Sequence, residues 1–360
     1  MKVTQVKARA VMVPLKRPPR SASGEIPQAP LVLVDLETDA GIVGCTYLFA
    51  FTPAMLAPLL GCIHALGEMI RGDALAPFEI EAKLRGRLTL LDTPGLVGLA
   101  LAGIDMAAWD AHAKGLGLPL VCALGGQVKP APAYNSCGLW IQEPESLADE
   151  VDALLADGEF KAAKVRIGRA NFAEDLAAVR QVKGRIGDDV RLMSDFNQSL
   201  HVNEAILRGR ALDDEGLYWI EEPIRHDNYT GCAVIASELK TPIQIGENLL
   251  NTFEMQNAIT AHAADYYMPD VQRIGGVTGW LRAAALAHAH DLDMSSHLFP
   301  EISCHLLAVT PTCHWLEYMD WADAILTEPM RIESGHAVIP DRPGCGIEWN
   351  EDAVKQYLVE

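Results

Sequence analysis

The chain has 360 residues, of which 49% are hydrophobic and 21% are charged, and its formal net charge is −19. This length can bury a large core in one or two domains, and the composition is ordinary for a globular protein. The excess of acidic residues argues against a nucleic acid or an anionic membrane surface as a partner.

The N-terminal segment MKVTQVKARAVMVPL alternates like a strand and lacks the apolar stretch and cleavage site of a signal peptide. No apolar run is expected to reach the length of a membrane span. The eight cysteines are scattered without a CxxC pair, which argues against a zinc site or a disulfide scaffold. We therefore expect a cytoplasmic protein with free thiols.

The first part of the chain reads as strands followed by helices, which predicts an α+β domain over residues 1–125. Within it, the loop 17–30 is rich in Pro, Ser and Gly. This loop is a candidate mobile lid, with an ordinary surface loop as the alternative. The expected strands are 2–14, 31–37 and 42–49, and the expected helices are 54–71, 77–88 and 96–114.

After Gly125 and Gly126, strand-like segments alternate with helix-like ones. Eight strands in such alternation predict a parallel (β/α) barrel over residues 126–320 rather than an open sheet. The remaining segment, 321–360, has short strands and turns, and we expect it to return to the N-terminal domain. The eight expected barrel strands are 131–136, 161–167, 190–195, 217–221, 242–246, 265–269, 293–296 and 314–317.

Three carboxylates follow one another at equal intervals of 26 residues: Asp195, Glu221 and Glu247. Each ends a short apolar strand, and the interval is long enough for one βα unit. Because strand ends in a barrel share one mouth, the three side chains should converge, and converging carboxylates repel unless a cation neutralises them. The pattern predicts a site for a hard divalent cation such as Mg²⁺; the alternative is three unrelated acids on a solvated rim.

Two cations, Lys164 and Arg166, stand two residues apart on the second barrel strand and therefore project to the same face. Buried cations need an anion, which an anionic substrate would supply. The alternative is a solvent-facing pair on an edge strand, but a closed barrel has no free edge.

The later strands end in groups suited to proton transfer. Asp270 ends the sixth strand and His297 the seventh, and a carboxylate beside an imidazole fixes its tautomer and makes it a general base. Glu317 ends the eighth strand, where a carboxyl group among other acids can stay protonated and donate to a developing oxyanion. Asn197 could orient the substrate or a water on the metal.

Several motifs, in this order, resemble those of the mandelate racemase / muconate lactonizing enzyme family of the enolase superfamily, and the resemblance covers nearly the whole chain. They are AGIDMAAWD at 102–110, DFNQSL at 195–200, WIEEP at 219–223, IGGVTGW at 274–280, MSSHLF at 294–299 and TCHWLE at 312–317. The resemblance implies an α+β capping domain on a (β/α)₇β barrel. It also implies one Mg²⁺, a small 2-hydroxy acid as substrate, and a homo-oligomer, possibly an octamer.

By this resemblance, Asp195, Glu221 and Glu247 hold Mg²⁺, and Lys164 neutralises the substrate carboxylate. The resemblance also makes His297 with Asp270 an acid/base pair, Glu317 a donor to the enolate oxygen and Ser136 a substrate contact.

One position departs from the family's pattern. A racemase of this type has a second lysine as the base opposite the histidine, whereas this chain has Arg166, and arginine rarely gives up its proton. Racemisation would need the pKa of Arg166 to be lowered by Lys164 and burial. The alternative is an acid-sugar dehydratase, in which one base suffices and a β-hydroxyl leaves. A non-catalytic relative is a third hypothesis, which the complete set of ligands and bases opposes.

The lid sequence leaves the substrate open. Arg20, Ser21, Ser23 and Glu25 would suit a hydroxylated or dicarboxylic acid, whereas Ile26 and Phe51 would suit an aromatic one. Racemisation is the first expectation, and dehydration is the alternative.

Overall fold

In the computed structural model, which describes residues 1–91 and 93–359, the chain begins with a three-stranded antiparallel sheet in the order β1-β4-β5. The turn between β4 and β5 contains Gly41, whose φ of 74° is one that glycine adopts without strain. A two-residue hairpin, β2-β3, lies within the predicted lid. The first five strands are β1 (Val3–Pro14), β2 (Arg20–Ser21), β3 (Gly24–Glu25), β4 (Gln28–Thr38) and β5 (Val43–Phe49).

Helices cover one face of this sheet. They are α1 (Leu56–Ile70), α2 (Pro77–Arg87), α3 (Leu96–Leu116) and the short α4 (Leu120–Ala123), and a 3₁₀ turn spans Pro53–Met55. All residues of α3 from Leu99 to Ala111 are buried, because the helix packs on the sheet and also on the barrel. At the barrel contact, Nε1 of Trp109 donates to Oγ1 of Thr278 at 2.9 Å, and Oδ2 of Asp105 accepts from the amide of Thr278 at 2.9 Å.

The segment Pro53–Ile70 is long and apolar enough, by length and composition alone, to cross a membrane. A single segment of this kind is weak evidence for a membrane span, because a core helix of a globular protein passes the same test. In the structure, α1 turns Leu59, Ile63, Leu66 and Ile70 towards the sheet, at the spacing of one helix face.

The second part of the chain is a ring of parallel strands with helices outside it. The sheet runs in the order β11-β10-β9-β8-β7-β6, and β12 pairs with β6 in parallel, which places the last strand beside the first. The strands are β6 (Ala131–Asn135), β7 (Ala162–Arg166), β8 (Arg191–Asp195), β9 (Ile220–Glu221), β10 (Ile243–Ile245), β11 (Tyr266–Tyr267) and β12 (Leu316–Tyr318). The helices are α5 (Pro144–Ala156), α6 (Phe172–Arg185), α7 (Val202–Leu212), α8 (Tyr229–Glu238), α9 (Thr252–Thr260), α10 (Gly276–Ala289) and α11 (Pro300–Ala308).

The expected seventh strand, 293–296, does not form a regular strand. Met294 makes isolated bridges to Tyr267 on one side and to Cys313 on the other, and His297 makes one to Asp270. The segment fills the seventh position of the ring, but its amides alternate between the two neighbouring strands, with Met294 bonding to Thr312 and Ser295 to Tyr267. Neither set of hydrogen bonds continues over enough residues to form a regular strand.

The C-terminal segment contacts both parts of the molecule. It contains β13 (Arg331–Glu333), β14 (His336–Val338), α12 (Glu351–Tyr357) and a 3₁₀ turn at Asp323–Ile325. β14 pairs with β6 of the barrel, while Leu358 bridges to Val11 of β1 and Nε1 of Trp349 donates to Oδ1 of Asp35 at 2.7 Å. The three-part division at residues 125 and 320 remains a prediction.

Candidate active site

The three predicted metal ligands converge at the mouth of the barrel. One oxygen from each of Asp195, Glu221 and Glu247 lies within 4.8 Å of the others, and the first two side chains are almost completely buried. Burial and the carboxylates of Asp195 and Glu247 together raise the pKa of Glu221 to about 8, although the charge of Lys164 opposes them. Three clustered carboxylate oxygens are a donor set that suits a hard divalent cation, so these residues fit Mg²⁺.

Lys164 and Arg166 both point into the barrel, as their spacing predicts. Nζ of Lys164 lies 2.5 Å from Glu221, 2.9 Å from Glu317 and 3.5 Å from Asp195. The anions that balance these cations are therefore carboxylates of the protein itself, whereas the sequence had suggested a substrate anion.

The structure contradicts a lowered pKa for Arg166. Burial on its own would lower it, but the carboxylates of Asp195, Glu317 and Glu221 outweigh burial and hold the pKa of the guanidinium above its ordinary value. The guanidinium lies 4.7 Å from the ring centroid of Trp140, and Nη2 donates to Oγ of Ser136 at 3.0 Å. No group in the described part of the chain accepts a hydrogen bond from its buried Nη1.

The surroundings of Glu317 favour its ionised form, whereas the sequence predicts a carboxyl group that can stay protonated. Burial alone would raise its pKa, but Lys164, His297 and Arg166 outweigh burial and hold the pKa of Glu317 below its usual range. The charged groups nearest to Glu317 are cations rather than the neighbouring acids. Oε1 accepts from Ser136 at 2.7 Å, and Oε2 accepts from the amide of Leu298 at 3.1 Å.

The predicted His–Asp pair is present. Nδ1 of His297 donates to Oδ2 of the fully buried Asp270 at 2.7 Å, and Oδ1 of Asp270 accepts from the amide of Gln272, also at 2.7 Å. Nε2 of His297 faces Glu247 at 3.3 Å and Glu317 at 3.8 Å. Burial would lower the pKa of His297, but Glu247 and Asp270 outweigh it and raise the pKa to about 9. A cation held by Glu247 would weaken that effect and favour the neutral imidazole.

The two expected substrate contacts differ in position. Asn197 lines the cavity described below and donates from Nδ2 to Oδ2 of Asp195 at 3.0 Å, while its Oδ1 has no partner among the described residues. Ser136 is fully buried and is not among the described residues that line the cavity. Its hydroxyl is used by Glu317 and Arg166, so it holds those groups in place.

A cavity of about 270 Å³ opens beside these charged groups, between the barrel mouth and the N-terminal domain. Its charged wall is formed by groups already described, among them Lys164, Arg166, Glu247 and His297. Seven further lining side chains are apolar, and four of them are aromatic. The seven are Ile26, Phe49, Phe51, Trp140, Leu298, Met319 and Trp321.

The lid residues divide between the cavity and the solvent. Ser21, Ser23 and Ile26 line the cavity, whereas Arg20 and Glu25 lie on the exposed hairpin, where Nε of Arg20 is 3.3 Å from Oε1 of Glu25. Arg20 and Glu25 therefore pair with each other, and these lid residues in the cavity lining are two serines and an isoleucine.

Sequence reasoning missed two groups of lining residues. Trp140 and Trp321 lie five and three residues beyond the ends of β6 and β12, and a search extended a few residues past each strand end would have found them. Asn248 follows Glu247 and donates to Glu222 at 2.9 Å, while Nη1 of Arg273 donates to Oδ1 of Asn248 at 2.5 Å. These side chains connect the cavity edge to the metal ligands, and no spacing pattern in the sequence identifies them.

Two family models together match most of the chain. The model described as "Mandelate racemase / muconate lactonizing enzyme, N-terminal domain" matches residues 3–125, and the one described as "Enolase C-terminal domain-like" matches residues 146–353. The chain belongs to the mandelate racemase / muconate lactonizing enzyme family. Solved structures of this family superimpose closely. An enolase from Bradyrhizobium, complexed with magnesium and mandelic acid, is 42% identical with a TM-score of 0.96 over 100% of this chain and 99% of that one.

A second solved structure, an enolase from the alphaproteobacterium BAL199 with bound magnesium, is 43% identical with a TM-score of 0.97 over 99% of both chains. L-talarate/galactarate dehydratase of Salmonella typhimurium is 33% identical over 72% of this chain and 65% of that enzyme. Relatives in the family include racemases and epimerases as well as acid-sugar dehydratases, so family membership alone does not choose between the two reactions.

Proposed function

We propose that this protein removes the α-proton of a 2-hydroxy acid that carries an aromatic or bulky apolar substituent. The observation that carries the proposal is that the cavity beside His297 also has aromatic lining residues, among them Trp140 and Trp321. The apolar side chains of the lining favour a substrate with an apolar substituent, because placing that group against them removes apolar surface from water. The relative that binds mandelic acid, a 2-hydroxy acid with a phenyl ring, supports the same substrate class.

The chain's own residues would divide the work as follows. His297, oriented by Asp270, takes the α-proton, and Lys164 lies where negative charge develops on the carboxylate oxygens. The free Oδ1 of Asn197 can accept a hydrogen bond from the 2-hydroxyl group. Mg²⁺, held by Asp195, Glu221 and Glu247, would neutralise part of the charge that moves onto the carboxylate.

Glu317 has a conditional role in this scheme. A substrate carboxylate placed beside it would raise the pKa of Glu317 by like-charge repulsion, and the protonated form could then donate to the enolate oxygen. Without that change, Glu317 serves to hold Lys164, Ser136 and the amide of Leu298 in position.

Racemisation or epimerisation is the first proposed outcome. Arg166 and His297 flank the Glu317 carboxylate, with Nη2 of Arg166 3.9 Å from Oε1 and Nε2 of His297 3.8 Å from Oε2. Arg166 could therefore supply a proton to the face opposite His297. The carboxylates around Arg166 oppose this transfer, and that observation favours dehydration as the second candidate, because the loss of a β-hydroxyl needs only one base.

The substitution Arg166→Lys separates the two outcomes. Lysine gives up a proton more readily than arginine, so racemisation of mandelate, followed by polarimetry with Mg²⁺, should rise about tenfold or more in the variant. A matched control, Arg169→Lys, changes an arginine that pairs with Asp175 and does not line the cavity among the described residues. If wild type and variant form 2-keto acids from acid sugars and leave mandelate unchanged, the dehydratase candidate replaces the first.

We also propose a homo-oligomer, as in the family resemblance, which sedimentation of the purified protein would test directly.

A further inference from the structure

The two residues that follow His297 adopt a backbone conformation that bulky side chains disfavour. Leu298 has a φ of 50° and Phe299 a φ of 49°, both in the left-handed region, and neither is a glycine. Such a conformation persists only where the surrounding structure holds it. The backbone immediately after the proposed base is therefore held by external contacts.

Part of this support comes from the barrel. The amide of Leu298 donates to Oε2 of Glu317 at 3.1 Å, and Oγ of Ser303 donates to the carbonyl of Leu298 at 3.0 Å. The same short segment thus carries His297 and contacts Glu317, so a shift of the segment would displace both groups.

Further support for the segment Leu298–Phe299 comes from the N-terminal domain, through Tyr47 on β5. Its ring centroid lies 5.0 Å from that of Phe299, and Oη donates to Oε2 of Glu301 at 2.7 Å. Tyr47 is 4% exposed and Glu301 is 5% exposed, so solvent does not replace this contact. The other oxygen, Oε1 of Glu301, accepts no hydrogen bond within the described part of the chain.

The position of Tyr47 on β5 links this support to the substrate cavity. Phe49 stands two residues further on the same strand, so its side chain leaves the same face of the sheet, and it lines the cavity. One strand of the N-terminal domain therefore lines the cavity and also contacts side chains of the segment that follows the base.

We infer that Tyr47 is a positioning residue for proton transfer, acting from the other domain through Phe299 and Glu301 on the strained segment Leu298–Phe299. The inference rests on the proposed function, because that function assigns His297 as the base. Tyr47 itself does not line the cavity among the described residues, so it acts through the segment rather than by touching the substrate.

The test is Tyr47→Phe in the full-length protein with Mg²⁺, which keeps the ring on Phe299 and removes the hydroxyl group. We expect kcat for α-proton exchange of mandelate to fall about tenfold or more while KM stays within about twofold, because misplacement of a base affects the chemical step more than binding. Hydrogen–deuterium exchange of a peptide that contains Leu298 should become faster in the same variant.

The matched control is Thr46→Val, which removes a buried hydroxyl from the neighbouring position, where Oγ1 contacts only Sδ of Met106 among the described residues. It should leave kcat and the exchange at Leu298 unchanged. Equal changes in both variants would indicate general loosening and would overturn the inference, as would unchanged kcat and exchange in Tyr47→Phe.

Glu301→Gln supplies a further check, since it keeps an oxygen that can accept from Tyr47. It should retain kcat within about threefold, and the double variant with Tyr47→Phe should be no worse than Tyr47→Phe alone. Additive losses would show that Tyr47 acts by another route and would contradict the inference. If the wild-type protein turns over no 2-hydroxy acid, the proposed function fails, whereas the exchange at Leu298 still decides the role of Tyr47.

Discussion

The two ends of the barrel are made by the same strands, yet the end at the mouth is charged and the opposite end is aromatic. The end opposite the mouth holds a separate apolar cluster, here called the aromatic layer. It consists of Tyr134, Ala162, Met193 and Trp219, against which Tyr218, Tyr266 and Trp315 pack. Four charged residues of the mouth lie two positions beyond an apolar residue of this layer. The pairs are Ala162 and Lys164, Met193 and Asp195, Trp219 and Glu221, and Trp315 and Glu317.

A step of two residues keeps a side chain on the same face of a strand and moves it by roughly 7 Å along the barrel. That single step changes the environment from a dry aromatic layer to a cluster of charges. The aromatic layer closes the barrel beneath the charges, which strengthens the electrostatic interactions above it.

Two histidines on adjacent barrel positions show the consequence. Burial would lower the pKa of His297, but the carboxylates around the mouth raise it to about 9. At the opposite end of the barrel, burial lowers the pKa of His314 to about 4, since only the charge of Asp293 opposes the effect of burial. The carboxylates therefore favour the protonated imidazole at the mouth, whereas burial favours the neutral imidazole at the opposite end.

The largest expected effect on the rate of proton exchange comes from replacing a histidine by asparagine at the mouth, compared with the same replacement at the opposite end of the barrel. His297→Asn should lower the exchange of the α-proton of mandelate by roughly 10²- to 10⁴-fold, which is the usual contribution of a general base. His314→Asn, which breaks a 2.8 Å contact with Oη of Tyr218, should leave the rate within about threefold. Proton NMR in D₂O measures both rates, and equal losses would contradict the difference in roles.

The second effect concerns the metal. Glu221→Gln replaces a buried carboxylate of the trio with a neutral amide, and we expect the affinity for Mg²⁺ to fall by about 100-fold or more. Titration calorimetry with MgCl₂ in the absence of substrate measures this directly. Glu215→Gln is a suitable control, because Glu215 pairs with Arg180 on the outside of the barrel. Unchanged affinity in Glu221→Gln would remove the metal assignment.

A smaller effect on Mg²⁺ affinity should come from a residue that connects the aromatic layer to the metal ligands at the mouth. Nε1 of Trp219, in the aromatic layer, donates to Oε2 of Glu221 at 3.0 Å. Residues that orient a ligand commonly change metal affinity by about 10- to 100-fold, so Trp219→Phe should weaken Mg²⁺ binding by roughly tenfold. Trp315→Phe, in the same layer, serves as the control, and calorimetry compares the two. A similar affinity in both variants would show that the layers act independently.

The smallest effect is on stability. Because the pKa of His314 is about 4 in the folded state and its ordinary value is 6.5, only the unfolded chain gains a proton as the pH falls between these values. The free energy of unfolding should therefore drop by about 1–2 kcal/mol between pH 7 and pH 5 through this residue. Urea unfolding of the wild-type protein and His314→Gln at both pH values isolates this contribution, and parallel pH dependences would refute it.

Regular spacing made much of the fold and site predictable. The 26-residue interval of Asp195, Glu221 and Glu247 identified repeated βα units, and parallel strand ends must share one mouth. The ends of short strands were less predictable, as at 293–296, because pairing there depends on the neighbouring strands rather than on local propensity.

The features that the sequence did not reveal depend on contacts between distant segments. The cations from β7 and from the segment after β11 lower the pKa of Glu317, an effect that the acids along the chain did not indicate. The apolar character of the cavity comes from residues such as Phe49, Trp140 and Trp321, which lie on three separate elements. The roles assigned to individual site residues remain predictions until the variants are measured.

The most direct test of the central claim is proton NMR of the wild-type protein with Mg²⁺ and each enantiomer of mandelate separately in D₂O. The claim that His297 removes the α-proton of an aromatic 2-hydroxy acid predicts deuterium at the α-carbon of at least one enantiomer. Deuterium from both enantiomers, with loss of optical activity, would also support racemisation. An α-proton retained in both enantiomers, while acid sugars yield 2-keto acids, would contradict the assigned substrate class.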